Sequence, residues 1–138
     1  MSGIDFSSDT GRHALERLQR EQIIWLTTVS PQGRPQSSPV WFLWRDGTFV
    51  IYSQPTMPKL KAIRGNDHVS LNLNSSETGE DVVIFEGTAR IVGQNSPATD
   101  DPVYVEKYAR LIDGWTRDDF AATFSEVIHV SPTRMRVY

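Results

Sequence analysis

Three cations lie close together in the segment YSQPTMPKLKAIRGN, which follows an apolar run in a mildly acidic chain. They are Lys59, Lys61 and Arg64, while the formal net charge of all 138 residues is −3. If a short helix starts near Pro58, its first backbone N–H groups could point at an anion such as a phosphate. Ser53, at the end of the apolar run, could donate a hydrogen bond to that anion through its hydroxyl. The local pattern fits an anion site and a solvated cationic helix face equally well.

The elements that must position these cations are mostly strands. Apolar, β-branched and aromatic runs predict six strands, over residues 23–30, 36–45, 48–53, 68–74, 81–93 and 126–138. Tight turns such as Asp46–Gly47 join many of them, and most strands have no helix between them, unlike those of a parallel doubly wound sheet. The sequence therefore predicts one domain, 1–138, that is mainly β: an antiparallel sheet closed into a β-barrel, with α-helices around it.

Single residues add detail to these elements. Pro39 indicates an edge or bulge position in the second strand, and Gly87 indicates a bulge or bend in the fifth. Asp9 or Thr10 is expected to cap the first helix. Pro132 is expected to break the last strand.

The tryptophans differ in their expected environments. Trp41 and Trp44 occupy odd and even positions of one strand, so they should face opposite sides, one in the core and the other in an interface or pocket. Trp25 is expected in the core. Trp115, beside Gly114 in a loop, fits either a pocket lid or a packing anchor.

Most familiar catalytic and metal-binding patterns are missing. The chain has no cysteine, which excludes disulfides, thiolate chemistry and Cys-based zinc sites. It has no GxGxxG, GxxxxGK[ST] or GxSxG motif, and its three histidines are scattered without an HExxH pattern. The acidic pairs at 100–101 and 118–119 lie where helices should begin, so capping and the helix dipole explain them better than catalysis does.

Charge and hydropathy also restrict the partners. The acidic balance argues against general nucleic-acid binding. No apolar run approaches the roughly 20 residues that a membrane-spanning helix needs, and the first 20 residues lack a basic segment followed by an apolar one. We therefore expect a cytoplasmic protein that binds neither nucleic acid nor membrane.

A longer pattern surrounds the cations. The segment GRPQSSPVWFLWRDGTFVIYSQPTMPKLKAIRGNDHVSLNL resembles the pyridoxamine 5′-phosphate oxidase-like family, which comprises flavin and deazaflavin oxidoreductases of split β-barrel fold. The family pattern Y-[ST]-x5-K-x3-[IL]-x3-x-x-V-[SA]-L is matched here by Tyr52, Ser53, Lys59, Ile63, Val69, Ser70 and Leu71. The stretches GRPQSSPVWF and SPTRMRVY, with the pair Lys59 and Lys61, resemble the coenzyme F420-dependent branch.

This resemblance implies a six-stranded antiparallel split β-barrel of the FMN-binding type. It implies a homodimer with two cofactor sites at the subunit interface. The cofactor phosphate should contact Lys59 and Ser53, and the tricyclic ring should lie along the second strand. The residues assigned to the cofactor are Ser38, Pro39, Val40, Trp41, Tyr52, Ser53, Lys59, Lys61 and Arg64.

Two positions depart from true pyridoxamine phosphate oxidases. Ser38 stands where those enzymes carry a phosphate-binding arginine, and Pro58 replaces a second arginine just before the lysine. Because each charge-assisted hydrogen bond contributes about 1.5–3 kcal/mol, FMN should be held weakly. The resemblance thus favours F420, whose acidic oligoglutamate tail could use Lys61 and Arg64, and it disfavours pyridoxamine phosphate oxidation.

The resulting hypothesis is a reductase. Reduced F420 would pass a hydride to a small conjugated or heteroaromatic substrate, in an apolar pocket around Trp41 to which Trp115 of the partner subunit could contribute. No catalytic residue is assigned, because water could supply the proton. Two alternatives stay open: an FMN-binding oxidoreductase of the same fold, and a carrier that binds F420 or a tetrapyrrole without turnover.

Overall fold

A computed structural model describes residues 4–138. Over this range the α-helices are α1 (Asp9–Arg20), α2 (Pro58–Gly65), α3 (Pro102–Tyr108) and α4 (Arg117–Thr123), with a short 3₁₀ helix at Ala98–Asp100. The strands are β1 (Ile23–Val29), β2 (Pro35–Trp41), β3 (Leu43–Arg45), β4 (Thr48–Ser53), β5 (His68–Leu73), β6 (Val83–Gly93) and β7 (Glu126–Val137). The predicted class, mainly β with α-helices, is confirmed.

The seven strands of the described chain form one antiparallel sheet in the order β2-β1-β5-β6-β7-β4-β3. Its two edge strands, β2 and β3, are separated in the chain by Phe42 alone. One residue cannot span an open sheet of this width, so the sheet curls until its edges meet, as in a barrel. The predicted number of six strands is wrong, because the run 36–45 bends at Phe42 and its two parts pair with β1 and β4.

The bend at Phe42 is held by two side chains of α3. The backbone N–H of Phe42 donates to the Tyr108 hydroxyl at 2.8 Å, and that hydroxyl donates to the carbonyl oxygen of Gln22 at 2.6 Å. The Lys107 ammonium donates to the carbonyl oxygen of Phe42 at 2.7 Å and lies 3.9 Å from the centre of the Phe42 ring. Burial lowers the pKa of Lys107 to about 8. These contacts fix α3 against the end of β2.

The two faces of the sheet bury separate apolar clusters. The larger cluster fills the barrel and includes Phe49, Phe85 and, on its border, Trp44. The smaller cluster lies under α3 and α4 and is bordered by Trp41. The prediction that Trp41 and Trp44 face opposite sides is therefore confirmed.

Trp25 is not a core residue, contrary to the sequence prediction. In β1 the side chains alternate, and Ile24, Leu26 and Thr28 are the buried ones. Trp25 is half-buried on the other face, where its indole N–H donates to the side-chain oxygen of Asn74 at 2.8 Å. The apolar run alone could not show which alternation faces inward.

Two of the local predictions about strands are confirmed and one is wrong. Pro39 lies on the edge strand β2, and the pairing of β6 with β7 shifts register at Gly87. Pro132 does not break β7, because the strand continues to Val137 and Pro132 lies opposite the Gly87 bulge.

The predicted helix starts also meet different outcomes. The cap of α1 is Ser8, whose hydroxyl accepts from the Gly11 N–H at 3.0 Å, and neither Asp9 nor Thr10. Asp101 caps α3, as expected of the acidic pair there. Within residues 4–138, no helix is both long and apolar enough to cross a membrane.

Candidate functional site

A cleft of about 320 Å³ opens where the end of β4 and the start of α2 meet the edge strand β2. Aromatic side chains from α3 and from the C-terminal end of α4 form its remaining wall. The lining residues are Pro39, Val40, Trp41, Tyr52, Ser53, Gln54, Met57, Lys59, Tyr104 and Phe124. This volume lies at the lower end of the range for small-molecule sites, about 300–1,000 Å³.

The structure brings six of the nine predicted cofactor residues together in this cleft: Pro39, Val40, Trp41, Tyr52, Ser53 and Lys59. Ser38 is half-buried and pairs with Leu26 of β1, outside the lining. Lys61 lines a different cavity, beside the turn between β1 and β2, together with Arg34. Arg64 is exposed in the last turn of α2. The three cations of the opening segment therefore do not converge on one point.

Lys59 is the cation that reaches the cleft. It lies in the first turn of α2, which begins at Pro58 as predicted, and no side chain in the described part of the chain caps this helix. Lys59 is half-buried, and burial lowers the pKa of its ammonium. Across residues 4–138, no carboxylate forms an ion pair with it. A partly desolvated cation without a counter-charge, at a helix N-terminus, favours an anionic ligand.

Ser53 lies beside Lys59 in the lining, at the end of β4. Its side chain is buried, and its hydroxyl donates to the carbonyl oxygen of Gln54 at 3.0 Å. The oxygen can still accept a hydrogen bond in this arrangement. Donation to a ligand phosphate needs a rotation of the hydroxyl away from Gln54.

Tyr52 forms the wall next to Ser53 and is fixed by a carboxylate behind it. Its hydroxyl donates to Asp101 at 3.0 Å, and Arg45 donates to both carboxylate oxygens at 3.2 and 2.9 Å. Burial and the Asp101 contact raise the pKa of Tyr52 to about 12. Burial also raises the pKa of Asp101, but the hydrogen bonds from Arg45 and Tyr52 outweigh it and hold that pKa below its ordinary value.

Asp101 also positions the helix on the opposite wall. As the N-cap of α3, it accepts from the backbone N–H of Tyr104 at 3.3 Å. The Tyr104 ring meets the Tyr52 ring edge-on, with their centres 4.8 Å apart. One carboxylate thus sets the relative position of β4 and α3 on two sides of the cleft.

Aromatic side chains supply much of the apolar lining of the cleft: Trp41, Tyr52, Tyr104 and Phe124. The Trp41 ring stacks on the Tyr108 ring, with ring centres 4.5 Å apart and an angle of 5° between the planes. It is also nearly parallel to the Phe124 ring, with centres 6.4 Å apart and an interplanar angle of 9°. These contacts fix the orientation of Trp41, and an aromatic lining of this kind suits a flat conjugated ligand. Within residues 4–138, no group of three or more His, Asp or Glu side chains could hold a metal ion. The arrangement can therefore bind a flat ring that carries an anionic group at the Lys59 end.

Four lining residues were absent from the prediction: Gln54, Met57, Tyr104 and Phe124. Tyr104 and Tyr108 are four residues apart, as are Phe120 and Phe124, so each pair shows the spacing of one helix face. That spacing was available in the sequence as a signal. Trp115 is 47% exposed and contacts Phe120 and Phe124 edge-on, which places it next to the cleft and outside its lining.

A family model described as pyridoxamine 5′-phosphate oxidase matches residues 11–137. In contrast, no curated protein matches the sequence.

Solved structures with similar folds have different described roles. An F420 reductase aligns with a TM-score of 0.70 and 21% identity, covering 88% of this chain and 94% of its own. HutZ, a heme storage protein from Vibrio cholerae, aligns with a TM-score of 0.64 and 18% identity, covering 91% of this chain and 92% of its own. A FAD-binding protein from Mesorhizobium loti aligns with a TM-score of 0.64 and 14% identity, covering 90% of this chain and 88% of its own. At these identities the similarity establishes a common fold.

Proposed function

Since the chain belongs to the pyridoxamine 5′-phosphate oxidase family, we propose that it is a coenzyme F420-dependent reductase of a small conjugated or heteroaromatic substrate. The observation that carries this proposal is the cleft, in which flat aromatic faces lead to one half-buried ammonium without a counter-charge, Lys59. A flat ring with an anionic arm complements both ends. The F420 reductase among the structural neighbours shows that this fold can serve such a coenzyme.

Each part of the cleft then has a role. Lys59 and Ser53 hold the coenzyme phosphate, while Pro39, Val40 and Trp41 lie along the ring. When bound in its reduced form, F420 supplies a hydride. Tyr52 forms a wall and is a poor proton donor, because its pKa is raised to about 12 and its hydroxyl is engaged by Asp101. We accordingly assign no catalytic acid.

The predicted residues outside the cleft receive weaker roles. Lys61 and Arg64 attract the acidic tail of the coenzyme at longer range, because both are solvent-exposed cations on the same helix as Lys59. Ser38 adjoins Pro39 on β2, so it lies next to the ring region without lining the cleft.

The preference for F420 over FMN follows from two positions. Ser38 and Pro58 stand where flavin-phosphate arginines are expected, and among residues 4–138 Lys59 is the sole cation in the lining. FMN depends on its single phosphate for charge recognition, so the absence of these two arginine contacts weakens the binding of FMN more than that of F420. An FMN-binding oxidoreductase remains the first alternative, and the FAD-binding neighbour supports it.

A carrier without turnover is the second alternative. The structural neighbour HutZ, a heme storage protein, has the same fold, and our reductase proposal names no catalytic side chain. Catalysis and carriage therefore differ here only in whether reduced coenzyme is consumed.

We further propose that the protein acts as a homodimer with the cofactor site at the interface. Trp115 and Leu111 are 47% and 43% exposed, and Trp115 contacts Phe124 of the cleft wall. A partner subunit could cover these side chains. A monomeric mass in light scattering at micromolar concentration would count against this arrangement.

Reoxidation of reduced F420 separates these functions. We expect the purified protein to accelerate reoxidation when a panel of enones, quinones and nitro-heteroaromatic compounds is added, as followed by recovery of F420 absorbance. Binding of F420 without accelerated reoxidation for any compound supports the carrier. Turnover with reduced FMN alone supports the flavin alternative.

A further inference from the structure

Two tyrosines one turn apart on α3 differ in how their hydroxyls are satisfied. Tyr104 and Tyr108 are both fully buried. The Tyr108 hydroxyl contacts Gln22 and Phe42 at 2.6–2.9 Å. The Tyr104 hydroxyl has no hydrogen-bond partner among residues 4–138. A buried donor without a partner destabilises the folded chain, so native proteins rarely keep one without a reason.

The position of Tyr104 suggests that reason. Its side chain belongs to the lining of the cleft and packs edge-on against Tyr52, with Trp41 also close to it. The other buried unpartnered side-chain atom in the described chain is Oε2 of Glu126, a residue outside this lining. The unpartnered hydroxyl thus belongs to a residue that lines the cleft in which the flat ligand is expected.

The hydroxyl is also suited to donate. Burial raises the pKa of Tyr104 above its ordinary value, so the group stays protonated at neutral pH. The rings of Trp41, Tyr52, Tyr108 and Phe120 pack around Tyr104, and no acceptor within residues 4–138 engages its hydroxyl. An acceptor on a ligand would meet a donor with no competing partner in a poorly hydrated environment.

Building on the proposed function, we propose that the Tyr104 hydroxyl is a specificity-determining hydrogen-bond donor to a carbonyl oxygen of the bound tricyclic ring. Lys59 then recognises the anionic end of the coenzyme, and Tyr104 recognises the ring itself. The site selects flat rings that carry a carbonyl acceptor over apolar rings of the same shape, because only the former satisfy the buried donor.

The test combines two variants with two phosphate-free ring ligands. Lumichrome is a tricyclic ring with carbonyl groups, and anthracene is a tricyclic ring with no hydrogen-bond acceptor. We expect Tyr104→Phe to weaken binding of F420 and of lumichrome about tenfold and to leave anthracene binding unchanged. Its melting temperature should stay the same or rise, since no protein hydrogen bond is lost. The matched control, Tyr108→Phe, should lower the melting temperature, since it removes the contacts at the Phe42 bend.

The possible outcomes separate this inference from the proposed function. If wild-type protein binds F420 and Tyr104→Phe binds F420 and lumichrome equally well, the inference fails and the proposed function stands. If the wild-type protein binds neither F420 nor FMN, both fail. Should Tyr104→Phe not fold, the wild-type protein alone decides: lumichrome must bind at least tenfold more tightly than anthracene, and equal affinities overturn the inference.

Discussion

Replacing Lys59 with alanine is expected to weaken F420 binding by a factor of ten or more. Lys59 is the cation that lines the cleft, and no carboxylate in the described chain neutralises it. A charge-assisted contact to a phosphate contributes about 1.5–3 kcal/mol, which corresponds to about 10- to 150-fold in affinity. Quenching of F420 fluorescence on titration with wild-type and Lys59→Ala protein measures this ratio.

Lys61→Ala is the matched control, because it removes the same charge from the same helix. Lys61 opens onto the cavity beside Arg34, so its loss should reduce affinity only slightly, and added salt should abolish the difference. If Lys61→Ala lost as much affinity as Lys59→Ala, the effect would come from net charge and not from a contact in the cleft.

The same contact predicts a dependence on pH. Burial lowers the pKa of Lys59 from its ordinary value, so the free protein loses this charge at a lower pH than an exposed lysine does. The charged ammonium is the form that binds phosphate. Affinity for F420 should therefore fall as the pH rises through the lowered pKa, and this fall should be absent in Lys59→Ala.

Replacing Asp101 with alanine is expected to lower the free energy of unfolding by about 2–4 kcal/mol, the largest stability effect that we predict at the site. Asp101 is 7% exposed and accepts hydrogen bonds from Arg45, Tyr52 and the N–H of Tyr104. Its loss removes the cap of α3 and leaves Arg45 and Tyr52 without their acceptor. Urea unfolding followed by tryptophan fluorescence measures the change.

Asp101→Asn separates the cap from the charge. Asparagine keeps the shape and one acceptor oxygen for the Tyr104 N–H, so this variant should retain part of the stability that Asp101→Ala loses.

The pKa of Asp101 is held low, so its charge stabilises the fold above the ordinary carboxyl range near pH 4. That contribution disappears as the pH falls through the lowered pKa. Wild-type stability at neutral pH for Asp101→Ala would contradict this role.

Lys59 could be predicted from the sequence because its signal is local. An apolar strand, a loop and Pro58 at a helix start place the next residue at the N-terminal end of α2, and the structure confirms the helix start. The divergence of Lys61 could also be predicted: two residues on a helix are about 200° apart around its axis, so Lys59 and Lys61 cannot face the same cleft. The grouping of the cations in the sequence obscured this geometry.

The bend at Phe42 could not be predicted from local pattern. Residues 40–44 of the run 36–45 are apolar or aromatic without interruption, so the run has the appearance of one strand. What stops the strand is tertiary: Tyr108 and Lys107, more than 60 residues later, engage the backbone of Phe42. The seventh strand follows from those contacts and not from the propensity of the run.

The aromatic wall of the cleft was missed for a related reason. The spacing of Tyr104 and Tyr108 indicates that they share a helix face, but it does not indicate the sheet face on which that helix packs. That choice depends on Asp101, which joins the start of α3 to Tyr52 of β4. The β-side of the site was accessible to sequence reasoning, and its helical side needed the fold.

Parallel titration of the wild-type protein with F420 and with FMN, without substrate, tests the central claim most directly. The cleft, whose sole lining cation in the described part of the chain is Lys59, predicts saturable quenching of F420 fluorescence, with F420 bound more tightly than FMN. Protein that is purified yellow with a flavin spectrum, or that shows no saturable F420 binding, would contradict the assignment.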